Sequence, residues 1–378
     1  MLIASDFPVR YFVNRAKTLQ LQAAIRYVLA RRGYRAGKYS VAYQACDDSS
    51  PQQGAGALAK CAANAKAYAQ DRDVVGLIGT WSSGCSAVEL PILNRAPSGP
   101  LGLISPSNTN VGLTHRGGGT QPGEPARYYP TGTRNFVRII SPDDAQGVAD
   151  ALLVKKLGLR RVYVLDDGEE YGLNVAEAFR KSATKVGLTV SGTASWGADQ
   201  TDFDGLVGRI RHKRPDAVFL GGFPCPHCGE FVARLRAALP QTKIVASDGF
   251  SDFESLVKAT GPAAEGLYVS IPGLPRGKLP PAGRRIEKLF GGPHLGSGGP
   301  AYAAQAATVL LDAIAASDGT RSSVNAHLLS ARVRNGIIGS FSFDRSGDPT
   351  FNPTMIFRIH HGKAKLDRVV TPPTRLVP

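Results

Sequence analysis

The sequence predicts an α/β protein of two doubly wound lobes with parallel-sheet cores. Short apolar runs alternate with helical stripes along most of the chain. Repeated βα units place helices on both faces of a parallel sheet, because crossovers are right-handed. The alternation occurs twice, with the Gly- and Pro-rich segment His115 to Thr133 between the two series, so two lobes are expected. A length of 378 residues by itself allows two or three domains, since one domain takes ~150 residues.

In the first series Leu2 to Asp6 reads as the opening strand, and Lys38 to Ala45 as another that ends at Asp47-Asp48-Ser49. Leu58 to Tyr68 carries a helical pattern. Val74-Val75-Gly76-Leu77-Ile78-Gly79 is continuously apolar, the mark of a strand buried on both faces. A helix over Ser86 to Leu93 and a strand over Leu101 to Ile104 follow. The segment His115 to Thr133 is expected to be loop, since Gly117-Gly118-Gly119, Pro122, Pro125 and Pro130 interrupt regular structure. No Lys-Ser/Thr pair follows its glycines, which excludes a phosphate-binding P-loop.

Phe136 to Ile140 resumes as strand. Ser141-Pro142-Asp143-Asp144 predicts a helix start with Ser141 as N-cap, Pro142 at the first position and acids in the first turn. In the second series the strands are Arg161 to Leu165, Leu188 to Ala194, Ala217 to Gly221, Lys243 to Ala246 and Gly266 to Ser270. Helices fall between them, over Leu173 to Val186, Asp202 to Arg211, Gly229 to Leu239 and Asp252 to Ala259. A further helix spans Tyr302 to Ala315, and hairpin-like strands around Ile337 to Phe343 and Thr354 to Ile359 end the chain.

Hydrophobic residues at 43% and charged residues at 20% exclude wholesale disorder. No apolar run approaches the ~20 residues of a membrane span. Met1 leads straight into a strand pattern, so either the chain is cytoplasmic or a targeting segment has been removed. The net charge of +15 invites a nucleic-acid reading. Against it, the densest basic runs, Arg209 to Arg214 and Arg31-Arg32, fall at expected helix C-termini, where cations complement the dipole. No aromatic platform accompanies them, and no nucleic-acid partner is expected. Neither a Gly-x-Ser-x-Gly elbow nor a Gly-x-Gly-x-x-Gly fingerprint follows a strand, so hydrolase and dehydrogenase readings have no anchor. Asp344-Arg345-Ser346-Gly347-Asp348 has the spacing of a calcium loop without its downstream acid, and is read as a hairpin turn. No metal or cofactor is expected.

Open α/β sheets bind ligands beyond the carboxyl ends of their strands. The loops to inspect are therefore Thr80 to Ser86, Ser105 to Thr109, Asp166 to Tyr171, Gly222 to Cys228 and Ser247-Asp248. Two lobes presenting such loops to each other form a cleft.

Gly79-Thr80-Trp81-Ser82-Ser83-Gly84-Cys85, Ile104-Ser105-Pro106-Ser107-Asn108-Thr109, Asp166-Asp167-Gly168-Glu169-Glu170-Tyr171-Gly172, Ser247-Asp248-Gly249-Phe250 and Ala264-Glu265-Gly266-Leu267-Tyr268-Val269 occur in this order. The set resembles the branched-chain amino-acid-binding proteins, solute receptors of ABC importers with the type I periplasmic-binding fold, over Leu2 to Val370. The resemblance implies a hinge of three crossovers, near Ile139, Ile271 and Ile338. One lobe then comprises residues 1–138 and 272–338, with the Tyr302 helix, and the other residues 139–271 and 339–378.

It also implies a site for a zwitterion. Ser83 and Thr109 would offer hydroxyls to a carboxylate, Ser107 and Asn108 belong to the same loop pair, and a helix starting just after Ser83 would add its dipole. Asp248 falls where the family places the acid that pairs with the ammonium, and Tyr171 at its cleft tyrosine. Departures lie at Pro8-Val9-Arg10-Tyr11, where Tyr11 is the candidate aromatic, and at Gly221-Gly222-Phe223-Pro224-Cys225, where Phe223 is. Tyr302 is a candidate for the side-chain pocket. Taken singly, these residues are ordinary caps and turns; gathered at strand ends they point to a ligand.

Five cysteines leave at least one thiol without an intramolecular partner. By resemblance, Cys46 pairs with Cys61 or Cys85, and either bridge implies an oxidising compartment. Cys225-Pro226-His227-Cys228 is a CxxC between a strand and a helix, where a thiol is acidified. It is read as structural, with a thiol oxidoreductase as a rival function; a zinc site would need a fourth ligand. The expectation is an extracytoplasmic, monomeric, non-enzymatic receptor for an amino acid or similar small carboxylate, serving an ABC importer permease. The alternative is the ligand-sensing domain of a larger membrane receptor or regulator.

Overall fold

The computed structural model describes residues 1–378 except 13–14, 55, 198–199, 292–297, 374 and 378. The first series folds as β1 (Leu2–Phe7), α1 (Arg15–Arg31), a small hairpin of β2 (Arg35–Ala36) and β3 (Tyr39–Ser40), β4 (Ala42–Asp47), α2 (Leu58–Gln70), β5 (Val74–Gly79), α3 (Ser83–Asn94), β6 (Leu103–Ser105) and β7 (Phe136–Arg138). Its parallel sheet has the order β4-β1-β5-β6-β7. All six residues of β5 are buried, as the unbroken apolar run predicts for a strand covered on both faces.

The chain then crosses to a second sheet through α4 (Asp143–Lys156), β8 (Arg161–Asp166), α5 (Glu170–Lys185), β9 (Thr189–Ser195), α6 (Asp204–Lys213), β10 (Ala217–Gly221), α7 (Cys228–Ala238), β11 (Lys243–Ala246), α8 (Phe253–Thr260) and β12 (Tyr268–Pro272). It returns through α9 (Pro281–Phe290), α10 (Pro300–Ala316) and α11 (Arg321–Leu329) to the first lobe, where Leu310 and Ile314 pack with Ile3, Leu21 and Ile25. Strands β13 (Arg332–Val333) and β14 (Phe341–Ser342) follow, and β15 (Thr354–His360) and β16 (Lys363–Val370) finish the second sheet, in the order β16-β15-β12-β11-β10-β8-β9. Its core holds Trp196, Phe203, Phe231 and Phe250, with Phe179 stacked on Phe219 at 4.1 Å on the other face.

Two local expectations are corrected. Pro142, not Ser141, is the N-cap of α4, because the Ser141 hydroxyl is drawn to Pro353 O at 3.2 Å, tying two crossovers together. The segment around Phe341 does not form a hairpin with Thr354 to Ile359. Phe341 pairs with Val333, whereas β15 pairs with β12 and with β16, so the two segments belong to different lobes.

Candidate functional site

A cleft of about 680 Å³ lies between the loops that follow the strands of both sheets. Seven of the singled-out residues line it: Tyr11, Ser83, Ser107, Thr109, Tyr171, Phe223 and Asp248.

On the first lobe α3 begins at Ser83. Its N-cap residue, Ser82, makes no side-chain capping bond, so the N–H groups and positive dipole end of its first turn are open to an anion. The neighbouring loop is fixed from within. Ser105 Oγ accepts the N–H groups of Ser107 and Asn108 at 3.2 and 2.9 Å. Asn108 Nδ2 donates to Thr80 O and Trp81 O at 2.9 and 3.2 Å. Asn108 is wholly buried; it holds the two loops together and does not reach the cleft. Behind it, buried Arg138 donates to Asn108 O and Asn110 O at 3.2 and 2.7 Å and to Asp348 Oδ1 at 2.6 Å. Gly79, just ahead of this wall, has φ +154°, and a Cβ there would stand 2.6 Å from Asp6 O.

On the second lobe, the Tyr171 hydroxyl donates to Asp248 Oδ1 at 2.5 Å. The Tyr171 and Phe223 rings lie 5.0 Å apart. Gly222 permits that placement: its φ is +123° and a Cβ would meet Asp167, whose Oδ2 accepts the Phe223 N–H at 2.7 Å. Burial raises the pKa of Asp248, while hydrogen bonds from Tyr171 and Gln146 and the charge of Lys17 oppose the rise. Tyr302 sits elsewhere. It is 8% exposed in α10, its hydroxyl accepts the Leu274 N–H at 2.9 Å, and it packs beside the crossovers.

Sequence reading missed Phe12, Lys17, Gln53, Trp81, Phe250 and Asp252, which also line the cleft. Trp81 stood inside a quoted loop motif and was the most accessible signal. Lys17 projects from α1, whose role no post-strand rule announces; burial lowers its pKa against the pull of Asp252 and Asp248.

Beyond the cleft, His115 bridges Asp144 and Asp348 at 2.8 Å each, so one imidazole ties the first lobe to α4 and to the last crossover. Although burial opposes it, contact with those carboxylates raises its pKa to about 9. The Asp344 to Asp348 segment is a turn, as expected: Asp344 Oδ1 accepts the N–H groups of Ser346 and Asp348 at 2.7 and 3.0 Å.

Under the first wall, Asp6, Asp48 and Glu89 are buried together. Burial raises Asp6 to about 6 and Asp48 to about 8, with the Asp6 charge adding to the rise at Asp48, and holds Glu89 well above the carboxylate range. Among the described residues, neither oxygen of Asp48 has a hydrogen-bond partner.

The cysteine pairing corrects an expectation. Cys61 on α2 and Cys85 on α3 are bonded, with Cα atoms 5.5 Å apart, and Cys46 is free. The packing of α2 on α3 brings the first two together, while Cys46 lies within β4, registered against Asp6 of β1. Cys225 and Cys228 form a second disulfide.

The sequence model of a family described as "Periplasmic binding protein" matches residues 15–364. An "Amino acid binding protein" of Pseudomonas aeruginosa is 26% identical over 208 residues, 54% of this chain and 51% of that protein. A "Leu/Ile/Val-binding protein" of Salmonella typhimurium is 27% identical over 50% of this chain and 47% of its own length; the match spans about half the length of these curated relatives. A "Leu/Ile/Val-binding protein homolog 2" of Brucella abortus is 23% identical over 91% of this chain and 85% of its own. Among solved structures, a leucine-binding protein of Thermotoga maritima superposes with a TM-score of 0.79 at 21% identity, covering 98% of this chain and 99% of its own. A solute-binding protein of R. palustris in complex with 4-hydroxybenzoate gives 0.78 at 15%, covering 99% and 98%. At these identities the structural likeness establishes the fold.

Proposed function

The chain belongs to the periplasmic binding protein family, and from that premise we propose that it is an extracytoplasmic receptor that captures an amino acid or related small carboxylate between its lobes. It passes the ligand to an ABC importer permease and performs no chemistry on it. The observation that carries this reading is the polarity of the cleft. The start of α3, with Ser83 and Thr109, faces one way, and Asp248, braced by Tyr171, faces the other. A zwitterion presents charges of complementary sign to both. Tyr11, Phe12, Trp81 and Phe223 supply apolar surface for a side chain.

The test is the thermal midpoint of unfolded-and-refolded protein against L-amino acids, small aliphatic carboxylates and aromatic acids. A ligand at about 100 times its dissociation constant adds about 2.7 kcal/mol. One class is expected to raise the midpoint, with the shift lost in Ser83→Ala. Loss in Asp248→Ala as well marks a ligand with an ammonium. Silence across the panel, or a shift intact in both variants, overturns the assignment.

A further inference from the structure

One disulfide stands in the cleft wall. Cys225 and Cys228 both line the cleft, whereas Cys61 and Cys85 are 0% exposed. The two cleft sulfurs are not equivalent. Cys225 lies on the loop before α7 and is partly exposed; Cys228 is the first residue of α7 and is 3% exposed. The Cys225 N–H donates to Cys228 Sγ at 3.0 Å. That bond and the positive end of the helix both favour negative charge on Cys228 Sγ.

We propose that Cys225–Cys228 is a thiol–disulfide exchange site, opened by a small thiol that enters the cleft. The incoming thiolate attacks Cys225 Sγ. A sulfur–sulfur bond forms between them, the Cys225–Cys228 bond breaks, and its electron pair leaves on Cys228 as a thiolate. With a dithiol the second thiol attacks the mixed disulfide. The dithiol is oxidised to its own disulfide, and its two protons end on Cys225 and Cys228.

Opening this bond reaches the ligand wall. It frees the Phe223-to-Cys225 loop from α7, and Phe223 packs on Tyr171, which holds Asp248. Exchange therefore lowers ligand capture. This second step rests on the receptor reading; the exchange itself does not.

The test uses the full oxidised chain with Cys46 first blocked by N-ethylmaleimide. It is exposed to graded dithiothreitol under native conditions, trapped with isotope-labelled maleimide and mapped by mass spectrometry. Cys225 and Cys228 are expected to label at a dithiol concentration at least about tenfold below that needed for Cys61 and Cys85. With 2-mercaptoethanol, the mixed disulfide is expected on Cys225. Equal labelling of all four, labelling only after unfolding, or an adduct chiefly on Cys228 overturns the proposal. The amino-acid and carboxylate panel, repeated on the reduced chain, is expected to lose at least half of any midpoint shift; an unchanged shift overturns the coupling to the ligand. If neither form responds to the panel, the receptor reading fails while the labelling still decides the exchange.

Discussion

Replacing Asp48 with Asn removes one charge from a buried group of carboxyls. In the folded chain Asp48 titrates at about 8, because burial and the charges of Asp6 and Asp47 penalise its ionised form. A folded-state value above the unfolded one means stability that is full below the ordinary carboxylate range and is lost as pH rises through about 8. Linkage sets the slope at about 1.4 kcal/mol per pH unit, so the loss from about pH 4 to about pH 8 has a ceiling of about 5 kcal/mol. Relaxation and water entry around the charge lower it to about 2–3 kcal/mol. The assay is the thermal midpoint of wild type and Asp48→Asn at pH 5 and pH 8. At pH 5 Asp48 is neutral in the folded chain but ionised in the unfolded one, so the variant is expected to be higher by a smaller margin, at most about 1.5 kcal/mol. At pH 8 the variant is expected to be higher by about 5 °C or more, taking 2–4 °C per kcal/mol. The difference between the two proteins reports Asp48 together with its interaction with Asp6, which titrates in the same window. An equal offset at both pH values, or a variant less stable at pH 8, refutes the reasoning.

His115 has a folded pKa of about 9, so its contribution is full below about 6.5 and lost as pH rises through 9; His115→Gln is expected to flatten that part of an alkaline stability profile by at most about 3 kcal/mol. Asp348→Ala leaves Arg138 buried without its carboxylate and is expected to cost about 3–5 kcal/mol in denaturant unfolding, whereas a cost under 1 kcal/mol contradicts the role given to the pair. Arg321 is 3% exposed and donates to the carbonyls of Val74, Ala69 and Tyr68 at 2.8, 2.9 and 3.1 Å. Arg321→Met strands those carbonyls and is expected to lower stability by about 2–4 kcal/mol at every pH. Gly79→Ala is expected to reduce both stability and ligand capture, because its Cβ collides with Asp6 O beside the loop that carries Ser83.

Periodicity in the sequence alone determined the two βα series, since a strand covered on both faces must be apolar throughout, as Val74 to Gly79 is. Post-strand polar loops likewise marked the segments that hold Ser83, Thr109, Tyr171 and Asp248, the family resemblance picked out these four, and they line one cleft. What lay outside the sequence's reach depends on contacts between distant segments. Asn108 was indistinguishable from its neighbours in the loop, and only its bonds to Thr80 and Trp81 turn it inward. Lys17 reaches the cleft from α1, a helix for which the sequence reading set no bounds. Cys61 finds Cys85, not Cys46, because α2 packs against α3. The hairpin expected at the end of the chain dissolves because β14 stays with the first lobe while β15 crosses to the second. A strand or helix is encoded by the pattern of its own residues; which element becomes its neighbour is decided by the packing of the whole core.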